Sequence, residues 1–162
     1  MNDMKKAAIE SVDSMAELYI EIANKIWENP ELSLKEHKAA ALYCDTLRKN
    51  GFAVTEKLCG IDTAFCGSFG SGRPVIGILG EYDALSGLSQ QADVFCPDPI
   101  EPDGSGHGCG HNLLGAGALA AAFAVKDYLQ KSGKNGTVVF YGCPGEEGGS
   151  GKAFMAKAGE WK

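Results

Sequence analysis

The apolar residues of the first quarter of the chain predict two helices. Between residues 9 and 26 they are spaced three and four apart, which is the pattern of an amphipathic helix. This helix should end near Asn29, because Pro30 disfavours helical geometry in the residue before it. The sequence Ser-Leu-Lys-Glu at 33–36 has the form of a capping box, so a second helix is predicted from there to Asn-Gly at 50–51.

From residue 52 onward the pattern changes to one that is typical of strands. Residues 52–56 and 63–69 are predicted as strands separated by turn residues. Residues 74–80 form a continuous apolar run, and residues 137–141 form another. Runs of this kind are typical of strands that are covered on both faces, so both are predicted to be buried.

An alanine-rich helix is predicted between these two buried strands. It should span residues 113–131, with Asn112 as its N-cap, and a further helix should begin near Gly151. Helices enclosing apolar strands in a strand–helix–strand order indicate a layered α/β fold. The 162 residues contain no visible repeat or linker and correspond to about one domain.

Composition excludes some classes of function. The net charge of −6 argues against non-specific binding of nucleic acid, which needs a basic surface. No segment approaches the ~20 consecutive apolar residues of a membrane helix, and no secretion signal is visible. The six cysteines are therefore predicted to be free thiols and the protein to be cytoplasmic.

A glycine-rich stretch at residues 104–112 carries the clearest candidate chemistry. His107, Cys109 and His111 alternate with glycines, and residues two apart in an extended segment project to the same side. Imidazole and thiolate are preferred ligands of zinc and neighbouring metals, so the stretch predicts a metal site. The alternative is a flexible loop whose polar side chains contact only water.

Acidic residues follow both apolar runs directly. Glu81 and Asp83 come after the first run, and Glu146 and Glu147 come after the second. Ligands of open α/β sheets gather beyond the carboxyl ends of the strands, so these carboxylates and the His/Cys stretch should converge. The alternatives are a solvated acidic turn for the glutamate pair and a helix cap or surface turn for Glu81 and Asp83.

This inventory suits hydrolysis by a metal-activated water. A metal ion lowers the pKa of bound water towards ~7. A carboxylate that does not bind the metal is then needed to take the proton of the water and pass it to a leaving amine. Glu146 and Glu147 suit this division, because consecutive side chains in an extended segment diverge.

Four motifs occur in an order that resembles a known family. They are Asn-Pro-Glu-Leu-Ser at 29–33 with Glu36, Tyr-Asp-Ala-Leu at 82–85, His-Gly-Cys-Gly-His-Asn at 107–112, and Pro-Gly-Glu-Glu at 144–147. The chain resembles the metal-dependent amidohydrolases related to aminoacylase, hippurate hydrolase and the indoleacetyl-amino-acid hydrolases, and among them most of all the aminobenzoyl-glutamate hydrolases. The resemblance implies a zinc-peptidase-like sheet flanked by helices.

The resemblance also implies roles for individual residues. Cys109, His111 and Glu147 match metal ligands, Glu146 matches the general base, and Asp83 matches an aspartate that supports the site. The cofactor would be one or two divalent ions, Zn²⁺ or Mn²⁺. His107 does not match a ligand. Many relatives have aspartate where this chain has Asn112, a change that affects the surroundings of the site and no ligand.

Relatives in this family are more than twice as long, so residues 1–162 should be the N-terminal part of a catalytic domain. The lid or dimerisation domain and a C-terminal return segment with further histidines have no counterpart here, and the chain alone should be inactive. The expected substrates are small N-acyl amino acids such as aminobenzoyl-glutamate. The full-length form is expected to be a homo-oligomer or to pair with a related subunit.

Two other functions are compatible with the sequence. One is a non-catalytic, truncated module that binds metal weakly or associates with a partner chain. The other is a redox or metal-sensing protein that uses Cys109 and Cys143, which lack a paired spacing and a basic neighbour that would lower the thiol pKa.

Overall fold

A four-stranded mixed sheet with helices packed against it forms the framework of the computed structural model, which describes residues 3–161. The strands are β1 (Ala53–Glu56), β2 (Phe65–Ser71), β3 (Val75–Gly80) and β4 (Gly136–Gly142). The helices are α1 (Asp3–Asp13), α2 (Ala16–Trp27), α3 (His37–Lys49), α4 (His111–Ser132) and α5 (Gly151–Ala158), and a short 3₁₀ turn spans Leu58–Gly60. The predicted layered α/β class is confirmed.

The order of the strands brings the ends of β3 and β4 to one edge of the sheet. The order is β1-β2-β4-β3, and the β3–β4 pair is parallel whereas the other two pairs are antiparallel. Gly80 lies opposite Gly142, and the Cys143 amide donates to the Gly80 carbonyl at 2.9 Å. The segments that follow β3 and β4 therefore leave the sheet side by side.

Aromatic packing anchors the segment after β3. The rings of Tyr43, Phe65, Tyr82 and Phe140 are fully buried, and Tyr82 lies 5.7 Å from Tyr43 and 5.8 Å from Phe65 between ring centroids. The Tyr82 hydroxyl also donates to the Thr63 carbonyl at 2.8 Å. Because the buried ring of Tyr82 fixes the backbone on both sides, its neighbours along the chain are held at the sheet edge.

Helix α4 approaches the sheet closely at Gly115. A methyl group on this residue would collide with the Tyr43 hydroxyl and come within 2.5 Å of the Glu81 carbonyl oxygen. Gly117, two residues further along the same helix, has open space around its α-carbon. The close approach at Gly115 thus depends on glycine and keeps the start of α4 beside the end of β3.

This pair of glycines gives a matched test of the packing. Gly115→Ala is expected to lower the free energy of unfolding by about 1–3 kcal/mol through overpacking. Gly117→Ala should raise it by about 0.5–1 kcal/mol, because alanine is the better helix former. Chemical denaturation of both variants measures the difference, and equal effects would contradict the close approach of α4 to Glu81.

Two local predictions about the N-terminal region are wrong. The predicted single helix over residues 9–26 is two helices, α1 and α2, which are separated at residues 14–15. The predicted capping box is also absent, since the Ser33 hydroxyl donates to Asp83 and α3 begins only at His37. The cap of α3 comes from Glu31, whose carboxylate accepts hydrogen bonds from the amides of Lys38 and Ala39 at 2.9–3.0 Å.

Asn112 is not the N-cap of α4. The helix begins at His111 after Gly110, whose φ of +74° is in the left-handed region, and Asn112 lies in the first turn. The Asn112 side chain instead donates to the Ala23 carbonyl near the end of α2 at 3.3 Å. This tertiary hydrogen bond replaces the predicted local cap, in which the Asn112 side chain would have accepted from a backbone amide of α4.

The two apolar runs differ in burial. Strand β4 is covered as predicted, with Val138 and Phe140 fully buried. Strand β3 is an edge strand, and Val75, Ile76 and Leu79 remain 57%, 44% and 39% exposed, so the prediction of a strand covered on both faces is wrong here. Across residues 3–161, no helix has the length and apolarity needed to cross a bilayer.

Candidate metal centre

Three side chains from separate segments converge beyond the shared end of β3 and β4. Glu81 follows β3, His111 opens α4, and Glu146 lies in the loop after β4. Each of the three residues offers one possible ligand atom, and these three atoms all lie within 4.8 Å of one another. The His111 Nε2 atom is 3.1 Å from Glu81 Oε2 and 3.8 Å from Glu146 Oε2. The predicted convergence of these loops is therefore present in the fold.

Asp83 connects this cluster to its surroundings. Its carboxylate is buried, with Oδ1 at 2.9 Å from His111 Nδ1. Its Oδ2 accepts hydrogen bonds from the Ser33 hydroxyl at 2.8 Å and the Glu147 amide at 3.0 Å. Burial by itself would raise the pKa of Asp83, but the hydrogen bonds from Glu147 and Ser33 and the nearby His111 together lower it below the usual aspartate value.

The contact with Asp83 decides which histidine nitrogen faces the cluster. When Asp83 accepts from the Nδ1–H group of His111, the Nε2 atom is left as the possible metal ligand. That nitrogen is the one near Glu81 and Glu146. Asp83 therefore orients the imidazole and favours the tautomer whose Nε2 atom can bind a metal, which is the supporting arrangement that metal-binding histidines commonly have.

Cys109 and Glu147 form a second pair beside this cluster. The Glu147 carboxylate accepts a hydrogen bond from the exposed Cys109 thiol and raises the pKa of that thiol above the usual cysteine value. Glu146 and Glu147 diverge, because one carboxylate lies near His111 and the other near Cys109. Metal binding at Cys109 would require loss of the thiol proton.

The charge at the site is mainly negative. Four carboxylates lie in one region, those of Glu81, Asp83, Glu146 and Glu147. Among the described residues, Lys152 of α5 brings a positive charge to this region by contacting the Glu81 carboxylate. Imidazole, thiolate and carboxylate groups are the donor types that Zn²⁺ takes in proteins, and carboxylates also suit Mn²⁺. The donor set therefore fits a divalent metal ion.

Some of these residues could not be assigned from the sequence. The sequence groups Glu81 with the acids that follow the strands but gives it no role of its own, and its place directly after β3 is the signal that points to it. Nothing in the sequence marks Lys152, because its contact with Glu81 depends on how α5 folds back against the sheet edge.

The remaining histidines and the second candidate thiol lie outside the cluster. His107 is buried and contacts the Ile26 carbonyl through Nε2 at 3.2 Å, and burial lowers its pKa. His37 is exposed on α3. Cys143 is fully buried, and burial raises its pKa to about 12. Such a thiol is unreactive near neutrality, which argues against a redox function for Cys143.

Comparison with known proteins identifies the family. Residues 77–162, more than half of the chain, match the family model for peptidase family M20/M25/M40. The chain belongs to this family. The M20/M25/M40 match agrees with the resemblance that the four motifs predicted, and that prediction is confirmed.

The relatives of this M20 chain are hydrolases. It is 49% identical over 159 residues to one of the subunits of the p-aminobenzoyl-glutamate hydrolase of Escherichia coli, an alignment that covers 98% of this chain and 33% of that protein. It is 30% identical over 138 residues to the hippurate hydrolase of Campylobacter jejuni, covering 85% of this chain and 34% of the relative. The chain thus spans about a third of the length of these relatives.

A solved structure supports the fold. The YXEP protein of Bacillus subtilis, a dinuclear metal binding peptidase from the M20 family, matches with a TM-score of 0.75 and 24% identity. The match covers 91% of this chain and 40% of that chain. At this level of identity the similarity establishes the fold alone.

Proposed function

We propose that this chain is the N-terminal part of the catalytic domain of a metal-dependent amidohydrolase. The substrates would be N-acyl amino acids, with aminobenzoyl-glutamate as the first to test because of the 49% identity to the hydrolase of E. coli. The observation that carries the proposal is the convergence of an imidazole and several carboxylates beyond the parallel β3–β4 pair.

Cys109, His111 and Glu147 are the proposed ligands of one or two ions of Zn²⁺ or Mn²⁺. A bound ion would supply an activated water and a Lewis acid for the amide carbonyl. Support comes from His111, whose Nε2 atom can bind an ion when Asp83 accepts from its Nδ1–H group, and from the Glu147 carboxylate beside the Cys109 thiol. Glu81, which also lies near His111, is the alternative ligand, but Lys152 already compensates its charge.

Glu146 is the proposed general base. Its side chain is 42% exposed, so a water and a substrate can reach the carboxylate, whereas Asp83 is fully enclosed. The Glu146 carboxylate would take a proton from the attacking water and deliver it to the nitrogen of the leaving amino acid. Asp83 would act indirectly, by holding the imidazole of His111 and the backbone of Glu147.

The exposed edge of β3 supports the proposed domain assignment. An apolar strand with a free edge is a pairing site, and proteins usually cover such an edge. In the complete protein, a further strand paired with this edge and segments packed on the two faces would reduce the exposure of Val75, Ile76 and Leu79. On this proposal residues 1–162 alone hydrolyse little or nothing, and the complete protein assembles with a second copy or a related subunit. The cytoplasmic location stays a prediction.

A second candidate function is a non-catalytic module that binds metal weakly or associates with a partner chain. The observation in its favour is that the chain spans about a third of its relatives, so that any groups supplied by the rest of those proteins lie outside it. The two candidates predict different results for the complete protein. An amidohydrolase would hydrolyse acyl-amino acids, and a non-catalytic module would not.

Titration of residues 1–162 with Co²⁺ tests the metal centre directly. We expect a thiolate-to-cobalt charge-transfer absorption that disappears in Cys109→Ser, because the serine hydroxyl is not a soft ligand. Cys96→Ser, at another exposed cysteine, is the matched control and should keep the absorption. An unchanged spectrum in Cys109→Ser would remove Cys109 from the ligand set.

A further inference from the structure

A buried carboxylate outside the proposed ligand set contacts the loop that carries Glu146 and Glu147. We propose that this residue, Glu36, is a positioning residue that sets the backbone of residues 145–149 and thereby the two glutamates. Glu36 is fully buried immediately before α3, and the described hydrogen bonds of its carboxylate go to Leu34, Thr63 and Gly145 rather than to a proposed ligand side chain. The inference rests on the proposed function of Glu146 and Glu147.

The carboxylate of Glu36 joins three segments that are distant in sequence. Its Oε1 atom accepts from the Leu34 amide at 2.9 Å and from the Gly145 amide at 2.8 Å. Its Oε2 atom accepts from the Thr63 hydroxyl at 2.8 Å. The turn before α3, the entry to β2 and the loop after β4 are therefore held at one point.

The contact with Gly145 acts on the residue directly before Glu146. Gly145 has a φ of +65°, and Gly149 closes the loop by donating to the Gly145 carbonyl at 2.9 Å. Leu34 packs on the same loop, since a methyl group on Gly149 would come within 2.8 Å of its Cγ atom. The loop is thus tied to Glu36 at Gly145 and to Asp83 at the Glu147 amide.

The chemistry of this contact distinguishes it from ordinary core packing. Burial raises the pKa of Glu36 and opposes its charged form, whereas the three hydrogen bonds stabilise that form. An apolar residue could fill the same space without a desolvation cost, but it would leave the Leu34, Gly145 and Thr63 donors unsatisfied. The two backbone donors belong to the segments that flank the proposed site.

The test is a Co²⁺ titration of residues 1–162 carrying substitutions at Glu36, with folding followed by circular dichroism. Glu36→Ala should weaken Co²⁺ binding by about 10- to 100-fold, the usual effect of losing a group that orients metal ligands. Glu36→Gln should bind nearly as the unchanged chain does. Its amide oxygen can accept from both backbone amides, and its NH₂ group can donate to the Thr63 hydroxyl.

Ser11→Ala is the matched control for general destabilisation. It removes another buried side-chain hydrogen bond, the 2.6 Å contact with Asp127 between α1 and α4, far from the site. We expect this variant to lose stability but to keep its Co²⁺ affinity. Where Glu36→Ala does not fold, Thr63→Ala decides. It removes the donor that holds Glu36 Oε2 and so loosens the carboxylate that anchors Gly145, and a drop in Co²⁺ affinity of about 2- to 10-fold is expected, smaller than for loss of the whole carboxylate.

The outcomes separate this inference from the proposed function. An unchanged chain that binds no Co²⁺ would overturn the metal centre and the inference together. An unchanged chain that binds Co²⁺, with equal affinity in folded Glu36→Ala, would overturn the positioning role alone. Equal affinity in Thr63→Ala, when Glu36→Ala is unfolded, would have the same meaning.

Discussion

His111→Ala is expected to weaken Co²⁺ binding to residues 1–162 by more than about 100-fold, beyond the usual effect of losing a supporting group. The imidazole is the part of the cluster that contacts both Glu81 and Glu146, and Asp83 orients it from the other side. Without it the neighbouring carboxylates lose their common partner. Isothermal titration calorimetry with Co²⁺ or Zn²⁺ measures the change.

His37→Ala is the matched control for this experiment. His37 is an exposed histidine of α3 and would report adventitious binding of metal to an imidazole. Its loss should leave the affinity unchanged. If His111→Ala and His37→Ala had the same affinity, the metal would not bind at the end of β3 and β4, and the hydrolase proposal would lose its centre.

The convergence of the site could be predicted because it depends on topology. Two apolar runs separated by a helix indicated a layered α/β fold, and the ligands of open α/β sheets gather beyond the carboxyl ends of the strands. The residues that follow them, Glu81 and Glu146, had to meet there together with the start of the intervening helix, His111. No local detail of side-chain packing was needed for that step.

Two of the wrong predictions concern polar side chains whose partners are distant in sequence. Ser33 and Asn112 are both residues that commonly cap helices, but their side chains donate to Asp83 and to the Ala23 carbonyl. The contacts of Glu36 with Thr63 and Gly145 have no sequence signal for the same reason. A local sequence pattern shows which hydrogen bonds a polar side chain can make, and the tertiary fold determines which of them forms.

The misassigned burial of β3 has a different cause. An apolar run indicates that a strand is suited to burial on both faces, but it does not say which chain segment supplies the cover. Within residues 3–161, no strand pairs with the outer edge of β3, although Val75, Ile76 and Leu79 are all apolar. The composition of β3 therefore fits a larger sheet than the one described.

The largest effect on catalysis is expected for Glu146→Gln in the complete polypeptide that carries this chain. The amide cannot accept the proton of the attacking water, so kcat for an N-acyl amino acid should fall by about 10²- to 10⁴-fold. Metal affinity should stay close to that of the unchanged protein, because Glu146 is not among the proposed ligands. Hydrolysis of aminobenzoyl-glutamate after reconstitution with Zn²⁺ or Mn²⁺, with the bound metal quantified, measures both quantities.

Glu147→Gln is the matched comparison because it makes the same chemical change one residue along. As a proposed ligand beside Cys109, Glu147 should lose metal affinity and activity together. The reverse result, in which Glu146→Gln releases the metal and Glu147→Gln retains it, would make the cluster of Glu81, His111 and Glu146 the true ligand set. Full turnover in Glu146→Gln would exclude this residue as the base. Glu81 and Asp83, the other carboxylates in contact with His111, are both less open to solvent and are therefore poorly placed to replace it.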